Sequence, residues 1–423
     1  MQYSKWVTLG FGALCLVAVA GVLNAEHLYY MAAILLTLPG VSYVLGWFAL
    51  NGLEFTRSAP SVAWENEAFA VTYTVRNATR LSRFFLSVHE PLPGWVGEGE
   101  AAYSLFNVPS RGAAAAEQML TATRRGVFAT SSFAVTALDP LGVFAFTRRI
   151  QCEAETIIFP AALPIGTNTL TGAGRYGYQE LSSVLLSGSS VEPDGVRLYS
   201  PGDALRRVHW RQTARTGRLT VMEFEESQSI SVAIALDLRR AQGANGDAVE
   251  WAIRAAASLA EQAIRSGASV SLLLGAGSVD PIHQALAEEA ENQSRGDLQL
   301  SRILELLARA ETRGSEPVAA RLVGADSRLA SGTTVVAITS VNDQSLVEAL
   351  PSGSRGETSA VLLYVTAGDL STDPKRDLLA TNSLLAAAGR TGHRAYIAEP
   401  AGDGSSINVS ALSAENYAAY GHH

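Results

Sequence analysis

The chain has very little cysteine: two residues, Cys15 and Cys152, in 423. No disulfide framework or thiolate zinc site can be assembled from them. Chains without disulfides are what a reducing compartment produces. The chain also lacks a basic excess. Lys and Arg number 32 against 40 Asp and Glu, a formal net charge of −8. Nucleic-acid binders carry a basic footprint, so no nucleic-acid partner is expected. Histidine is sparse, and His283, His393, His422 and His423 have no partner at metal-ligand spacing. No G-x-S-x-G elbow is present for Ser-His-Asp chemistry. Gly172-x-Gly174 is followed by no Gly-Lys-Ser/Thr, so it is no phosphate loop. No catalytic residue, metal or cofactor is assigned on these grounds, and the chain is read as not an enzyme.

What is abundant is apolar sequence at the start. Hydrophobic residues make up 48%. Residues 6–23 are apolar apart from Thr8, and residues 28–50 are broken only by Thr37 and Ser42. A helix needs about 20 such residues to cross the hydrocarbon. The expectation is a transmembrane hairpin over residues 1–52, with Asn24, Ala25, Glu26 and His27 between the spans. Pro39-Gly40 kinks the second span, which membrane helices tolerate. The alternative is a cleaved signal peptide ending near Ala18-Val19-Ala20, but a second span follows at once. Lys5 precedes the hairpin and Arg57 follows it, while the connecting loop has neither Lys nor Arg. Positive residues stay in the cytoplasm, which predicts an inner-membrane, multi-pass protein with its soluble domains in the cytoplasm.

Beyond the apolar runs the period changes. From 53 to 160 short alternating runs, at 68–75, 83–88, 120–123, 133–137 and 156–159, are separated by Pro, Gly and Asn. That spacing predicts a β-sandwich. His89-Glu90, beside a proline turn, reads as a surface pair. Residues 161–190 are a Gly/Ser-rich linker. From 229 to 400 continuous apolar strands (231–237, 268–274, 333–339, 360–366 and 393–398) alternate with helices at 249–266, 281–291, 298–311 and 373–389. This predicts an α/β, Rossmann-like domain with a parallel sheet covered on both faces. Residues 313–332 read as a loop with one helical turn, and 401–423 as a tail.

Between linker and α/β domain, residues 191–228 form an arginine-rich unit. A strand around Val196 and Leu198 meets the turn Pro201-Gly202, and Asp203 caps a helix over 204–215. Gly217 stands where a left-handed C-cap is wanted, and residues 219–224 form a second strand. Arg207, Arg211 and Arg215 lie four apart on one stripe, with Arg197, Arg206 and Arg218 nearby. Like charges so placed need compensation. One reading is an internal network with Asp194, Asp203, Glu223 and Glu225; the other is a phosphate or nucleic-acid site. The network is favoured, because arginine is the residue of choice for buried and interface ion pairs.

The string from Gly195 to Phe224 resembles the signature of the domain-of-unknown-function 58 family, bacterial membrane-associated proteins. Gly195, Arg197, Tyr199, Gly202, Asp203, Arg206, Trp210, Ala214 and Arg215 fall on the family pattern in order. Arg124-Arg125-Gly126-Val127-Phe128 and Asp139-Pro140-Leu141-Gly142-Val143-Phe144 resemble two further turns of that family. Leu198 and His209 depart, standing where many members carry acids. The C-terminal region is similar to von Willebrand factor A-like domains in strand-helix order. Asp237 ends the first strand where those domains place D-x-S-x-S around a divalent metal. Here Arg239 and Ala241 replace both serines. Asp237 is therefore read as a degenerate metal-site position, with the arginine filling the ion's electrostatic role. The crevice near Asp237, Ser340 and Asp343 is the default ligand position of such a sheet.

The resemblance implies a membrane-anchored scaffold or adaptor, companion of a MoxR-type AAA+ ATPase in protein remodelling or maturation. Its site residues would be Arg197, Tyr199, Gly202, Asp203, Arg206, Arg207, Trp210, Arg211 and Arg215. The first alternative is an anionic-ligand or nucleic-acid binding module using the same arginines. The second is a hydrolase using Asp203 or Asp237.

Overall fold

A computed structural model describes the chain apart from residues 1, 24–25, 98–99, 140–141, 143, 167–192, 201–209, 225–229, 241–246, 313–315, 326–328, 331, 352–358, 367–382, 385–386, 403 and 412–423. It divides into two compact units, Met1–Phe159 and Pro160–His423.

The first unit opens with two helices, α1 (Gln2–Leu23) and α2 (Glu26–Ala49). The turn between them is shorter than expected, because Glu26 and His27 are already helical. Pro39 lies inside α2 without ending it. By length and composition α2 is long and apolar enough to cross a membrane; within α1 the apolar helical stretch is the shorter Gly10–Leu23.

Eight strands follow: β1 (Leu53–Ser58), β2 (Val62–Trp64), β3 (Ala68–Asn77), β4 (Arg83–Pro91), β5 (Glu100–Val108), β6 (Ala113–Thr121), β7 (Gly126–Leu138) and β8 (Ala145–Phe159). They form a three-stranded sheet, β1-β3-β6, and a five-stranded sheet, β2-β8-β7-β4-β5. Inward residues of both sheets, among them Val71, Tyr73, Leu86, Val88, Phe133, Val135 and Ile158, share one core. The alternation in β3 places Phe69, Val71, Tyr73 and Val75 inside, as period 2 requires. Strands β1, β2 and β5, and most of β6 and β8, were not legible in sequence. Ala113–Thr121 carries four consecutive alanines, a composition with no β propensity, yet it pairs along the whole of β3. Tertiary pairing overrides propensity there.

In the second unit, the short strands β9 (Ile165–Gly166) and β10 (Pro193–Leu198) precede helix α3 (Trp210–Thr216) and strand β11 (Thr220–Phe224). The remaining elements in chain order are β12 (Ser231–Leu236), α4 (Asp247–Arg265), β13 (Ser269–Leu274), α5 (Gln284–Glu291), α6 (Asp297–Arg309), α7 (Val318–Ala325), β14 (Thr333–Thr339), α8 (Gln344–Glu348), β15 (Ser359–Val365), β16 (Arg394–Pro400) and β17 (Ile407–Ala411). The main sheet runs β13-β12-β14-β15-β16-β17-β9. Its first five strands are parallel. Every residue of β12, β13 and β14 is buried, which is what strands covered on both faces show. One face packs Ala233, Val335 and Leu362 against Leu322 of α7 and Leu346 of α8.

Two expectations are corrected here. Residues 318–325 form α7, longer than the one helical turn expected in that loop, with Val318 and Leu322 in the core. Residues 407–411 are not tail but a sixth strand, antiparallel to β16. Both are short segments stabilised by what they pack on, so their local signal is weak. Most of the helix expected at 373–389 lies outside the described residues.

Numbering the parallel strands from β12, their order is 2-1-3-4-5, the doubly wound arrangement. The strand order reverses between β12 and β14, so the switch point of the sheet lies at their C-terminal ends. That is where Asp237, Thr339 and Ser340 sit.

Candidate functional site

Asp237 follows β12 directly, and its backbone N–H donates to the Ile338 carbonyl of β14 (2.9 Å). Its side chain is fully buried. A buried carboxylate needs partners, and Arg239 supplies them. The Arg239 Nη2 lies 2.6 Å from Asp237 Oδ2, and its Nε lies 3.0 Å from Oδ1. The Arg239 backbone N–H also donates to Oδ1 (3.1 Å). The fork is bidentate, the strong form of this pair. The same Nη2 reaches Asp343, so one guanidinium joins two carboxylates. Asp343 caps α8 and accepts from the Ser345 amide (2.9 Å) and hydroxyl (2.6 Å).

The electrostatics follow this geometry. Hydrogen bonding to Asp237 comes first among the influences that raise the Arg239 pKa above its ordinary value, against the opposing effect of burial. Burial pushes the Asp343 carboxyl up, but the Ser345 hydroxyl, Arg239 and the Ser345 amide outweigh it and hold it below the usual range. The cluster carries two negative charges and one positive. Beside it the Ser340 hydroxyl is buried with no hydrogen-bond partner among the described residues.

This donor set does not fit a divalent cation. The Asp237 oxygens are occupied by the guanidinium, and positions 239 and 241 offer a cation and a methyl group instead of hydroxyls. Among the described residues no group of three or more His, Cys, Asp or Glu is placed to hold a metal ion.

The arginine-rich unit is described in part. β10 and β11 pair antiparallel, with Arg197 opposite Val221, and the Tyr199 amide donates to the Leu219 carbonyl (2.9 Å). Gly202, Asp203, Arg206 and Arg207, with the first turns of the expected helix, lie outside the described residues. From Trp210 the helix is present as α3, and it stops at Gly217 with φ +66°, the left-handed residue the sequence predicts. The Gly217 amide donates to the Thr213 carbonyl (2.9 Å). Thr213 Oγ1 also accepts from the Thr220 amide (3.1 Å), which ties α3 to β11.

No residue of α3 is buried. Arg211, Arg215 and Arg218 are exposed, with no ion pair among the described residues, and Trp210 is 66% exposed. The acids expected to compensate them, Asp194, Asp203, Glu223 and Glu225, lie outside the residues whose side chains are described. The helix is short and rests on β11 through Thr213, so its arginine stripe faces solvent.

The β-sandwich holds a cluster that sequence reasoning misassigned. Glu90 is completely buried rather than on the surface. The period of β4 turns Leu86, Val88 and Glu90 to the same inner face. Arg57 Nε meets Glu90 at 2.9 Å, with the two side chains 1% and 0% exposed. Tyr73 donates its hydroxyl to Glu90, and Thr130 Oγ1 lies 2.6 Å from the other carboxylate oxygen. Burial, followed by the hydrogen bond to Glu90, pushes the Tyr73 hydroxyl pKa far up. Arg57, counted above as a juxtamembrane charge, is thus spent inside the fold. An acidic residue at an inward strand position two residues after Val88 was the available signal.

A family model described as "Protein of unknown function DUF58" matches residues 195–317. That range begins within β10, takes in α3 and β11, and runs through Asp237 and α6 to the residue before α7. The uncharacterized protein YeaD of Bacillus subtilis (strain 168) is 23% identical over 242 residues, 56% of this chain. The match spans 59% of that relative's own length. Among solved structures, the CARDB domain of PF1109 from Pyrococcus furiosus is 12% identical and covers 24% of this chain and 93% of that one, with a TM-score of 0.17. A cohesin module of the Clostridium perfringens family 33 glycoside hydrolase is 10% identical and covers 25% and 96%, with a TM-score of 0.19.

Proposed function

We propose that this protein is a membrane-anchored, non-enzymatic scaffold or adaptor whose arginine-rich unit docks a MoxR-type AAA+ ATPase. Helices α1 and α2 cross the inner membrane as a hairpin, and both soluble units face the cytoplasm, where such an ATPase finds its nucleotide. The second unit is von Willebrand factor A-like, with Asp237 at its degenerate metal position and Arg239 in the cation's place. The antiparallel bridge between Val270 and Ser294, beside the outermost parallel strand, fits a shortened form of the edge strand in that fold.

The observation that carries the docking surface is α3. It exposes Trp210 together with Arg211 and Arg215. Tryptophan and arginine are the residue types that dominate binding hot spots. A helix that buries nothing itself, yet is pinned in place by Thr213, is suited to meeting a partner. The test is pull-down and interferometry with the full chain in nanodiscs and a purified MoxR-type ATPase from the same organism. Wild type binds; Trp210→Ala weakens binding about 30-fold, the effect of a hot spot worth about 2 kcal/mol, with an unchanged melting temperature. Absence of binding by wild type defeats the proposal.

A second reading rests on the same exposed arginines, which suit an anionic ligand equally well. It predicts binding that falls steeply with salt and survives Trp210→Ala.

A further inference from the structure

We propose that one end of the β-sandwich is itself a bilayer-contacting surface, seated in the headgroup layer beside the C-terminal end of α2. The inference rests on the reading that α2 spans the membrane. It adds that the sandwich does not stand off the bilayer as a spacer.

The end in question is defined by topology. Three residues separate the end of α2 from the start of β1, and the turns β3–β4, β5–β6 and β7–β8 all lie at that end. These turns are fixed to the helix. The Ala78 amide donates to the Gly52 carbonyl (3.1 Å), and Arg83 Nη2 donates to the Asn51 carbonyl (3.3 Å). The Arg111 amide in the β5–β6 turn donates to the Thr79 carbonyl (2.9 Å).

The residues flanking the β7–β8 turn lie higher, along α2 itself. Asp139 is buried and accepts from the Ser42 hydroxyl of the helix and from the Phe144 amide (2.6 Å). Tyr43 meets Phe144 and Phe146 edge-on at 5.1 and 5.3 Å. At Gly46 a Cβ would stand 2.5 Å from Phe146, so this helix face is shaped for the turn.

Length turns these contacts into depth. The 24 residues of α2 span about 36 Å. The hydrocarbon core takes about 30 Å of that. Ser42 lies seven residues before Ala49, about 10 Å down the axis. A turn packed on Ser42 therefore reaches at least the headgroup level. At the same height the other faces of the helix still expose Val41, Val44, Leu45, Trp47 and Phe48, as lipid-facing residues do.

The chemistry of the end fits this depth. Leu81, Phe84 and Phe85 are 66%, 51% and 49% exposed. Large apolar side chains clustered at one end of a domain mark an interaction surface. Arg80 and Arg111 are exposed among them. The Arg83 Nε is buried with no partner among the described residues, and burial lowers its pKa. The nearby acid, Glu54, is taken by Arg76. Apolar side chains interleaved with arginines that form no ion pair among the described residues complement a leaflet of anionic lipid. Aqueous protein surface would not select this combination.

The test places nitroxide labels on the full chain in nanodiscs containing anionic phospholipid, in a Cys15→Ser/Cys152→Ser background. Labels go at Leu81→Cys, at Val44→Cys in α2, and at Thr123→Cys in the β6–β7 turn at the opposite end. Depth is read from collision with oxygen against a water-soluble nickel chelate. Expected is a lipid-like value at 44, an interfacial value at 81 that moves toward water when Arg80 and Arg111 are changed to Gln, and an aqueous value at 123. If 44 is lipid-like and 81 is as aqueous as 123, the surface proposal is overturned while the membrane reading stands. If 44 is aqueous as well, both fall.

Discussion

Each unit of this protein holds an arginine between acidic and hydroxyl groups, and the two clusters differ in one respect. In the sandwich, Arg57, Glu90, Tyr73 and Thr130 are sealed inside the core, the guanidinium 5.6 Å from the Phe128 ring. At the sheet rim of the α/β unit, Arg239 holds Asp237 and Asp343 but keeps a quarter of its side chain in solvent. The same chemistry thus has two consequences. A sealed cluster has no route for exchange, so its charges act on stability alone. A rim cluster at a switch-point crevice can trade an internal partner for an external one. The fold, not the residue types, separates a structural ion pair from a candidate site.

The largest expected effect tests the sealed cluster. Glu90→Gln removes the charge that compensates Arg57 and leaves a buried cation unpaired. Breaking one side of such a pair costs about 3–5 kcal/mol. Thermal unfolding of the full chain in nanodiscs should show a large loss for the first unit. A variant as stable as wild type would mean that water reaches Arg57.

A smaller loss is expected at the rim. Arg239→Ala removes charge-assisted hydrogen bonds worth about 1.5–3 kcal/mol, and water can partly replace the guanidinium. The variant should also gain a melting shift with magnesium or manganese that wild type lacks, since two carboxylates are released. A specific metal-induced shift in wild type, lost in Asp237→Ala, would break the contrast between the clusters.

The smallest effect is in the acid range. Asp343 has a folded-state pKa below its ordinary value of 3.8. A depressed carboxylate contributes stability that is complete above the unfolded value and lost as pH falls through the folded one. Asp343→Asn should therefore differ from wild type at neutral pH and converge with it below pH 3.8. Parallel pH profiles would show that Arg239 does not depend on this carboxylate.

Much of the architecture was legible because it is local. The apolar runs, the two-residue period of β3 and the uninterrupted β12 and β14 are properties of neighbouring residues, and each became the element its pattern indicates. Gly217 is the same kind of feature, a left-handed position that calls for glycine. The pairing of Asp237 with Arg239 was readable too, since only one residue separates them.

The rest depends on residues far apart in sequence. Asp343 lies 104 positions from Arg239, and the β12–β14 pairing brings it within reach. Glu90 looked like a surface residue beside a proline. The inward register of β4 placed it against Arg57, 33 positions earlier. The alanine-rich β6 and the short β17 are strands because a partner's backbone hydrogen bonds hold them, which no local pattern encodes. By itself the sequence determined which segments are apolar, alternating or capped, since these follow from side chains within a few positions of each other. Only the tertiary structure decided which charges meet and which face solvent, because those outcomes depend on the register and packing of segments that the chain keeps apart.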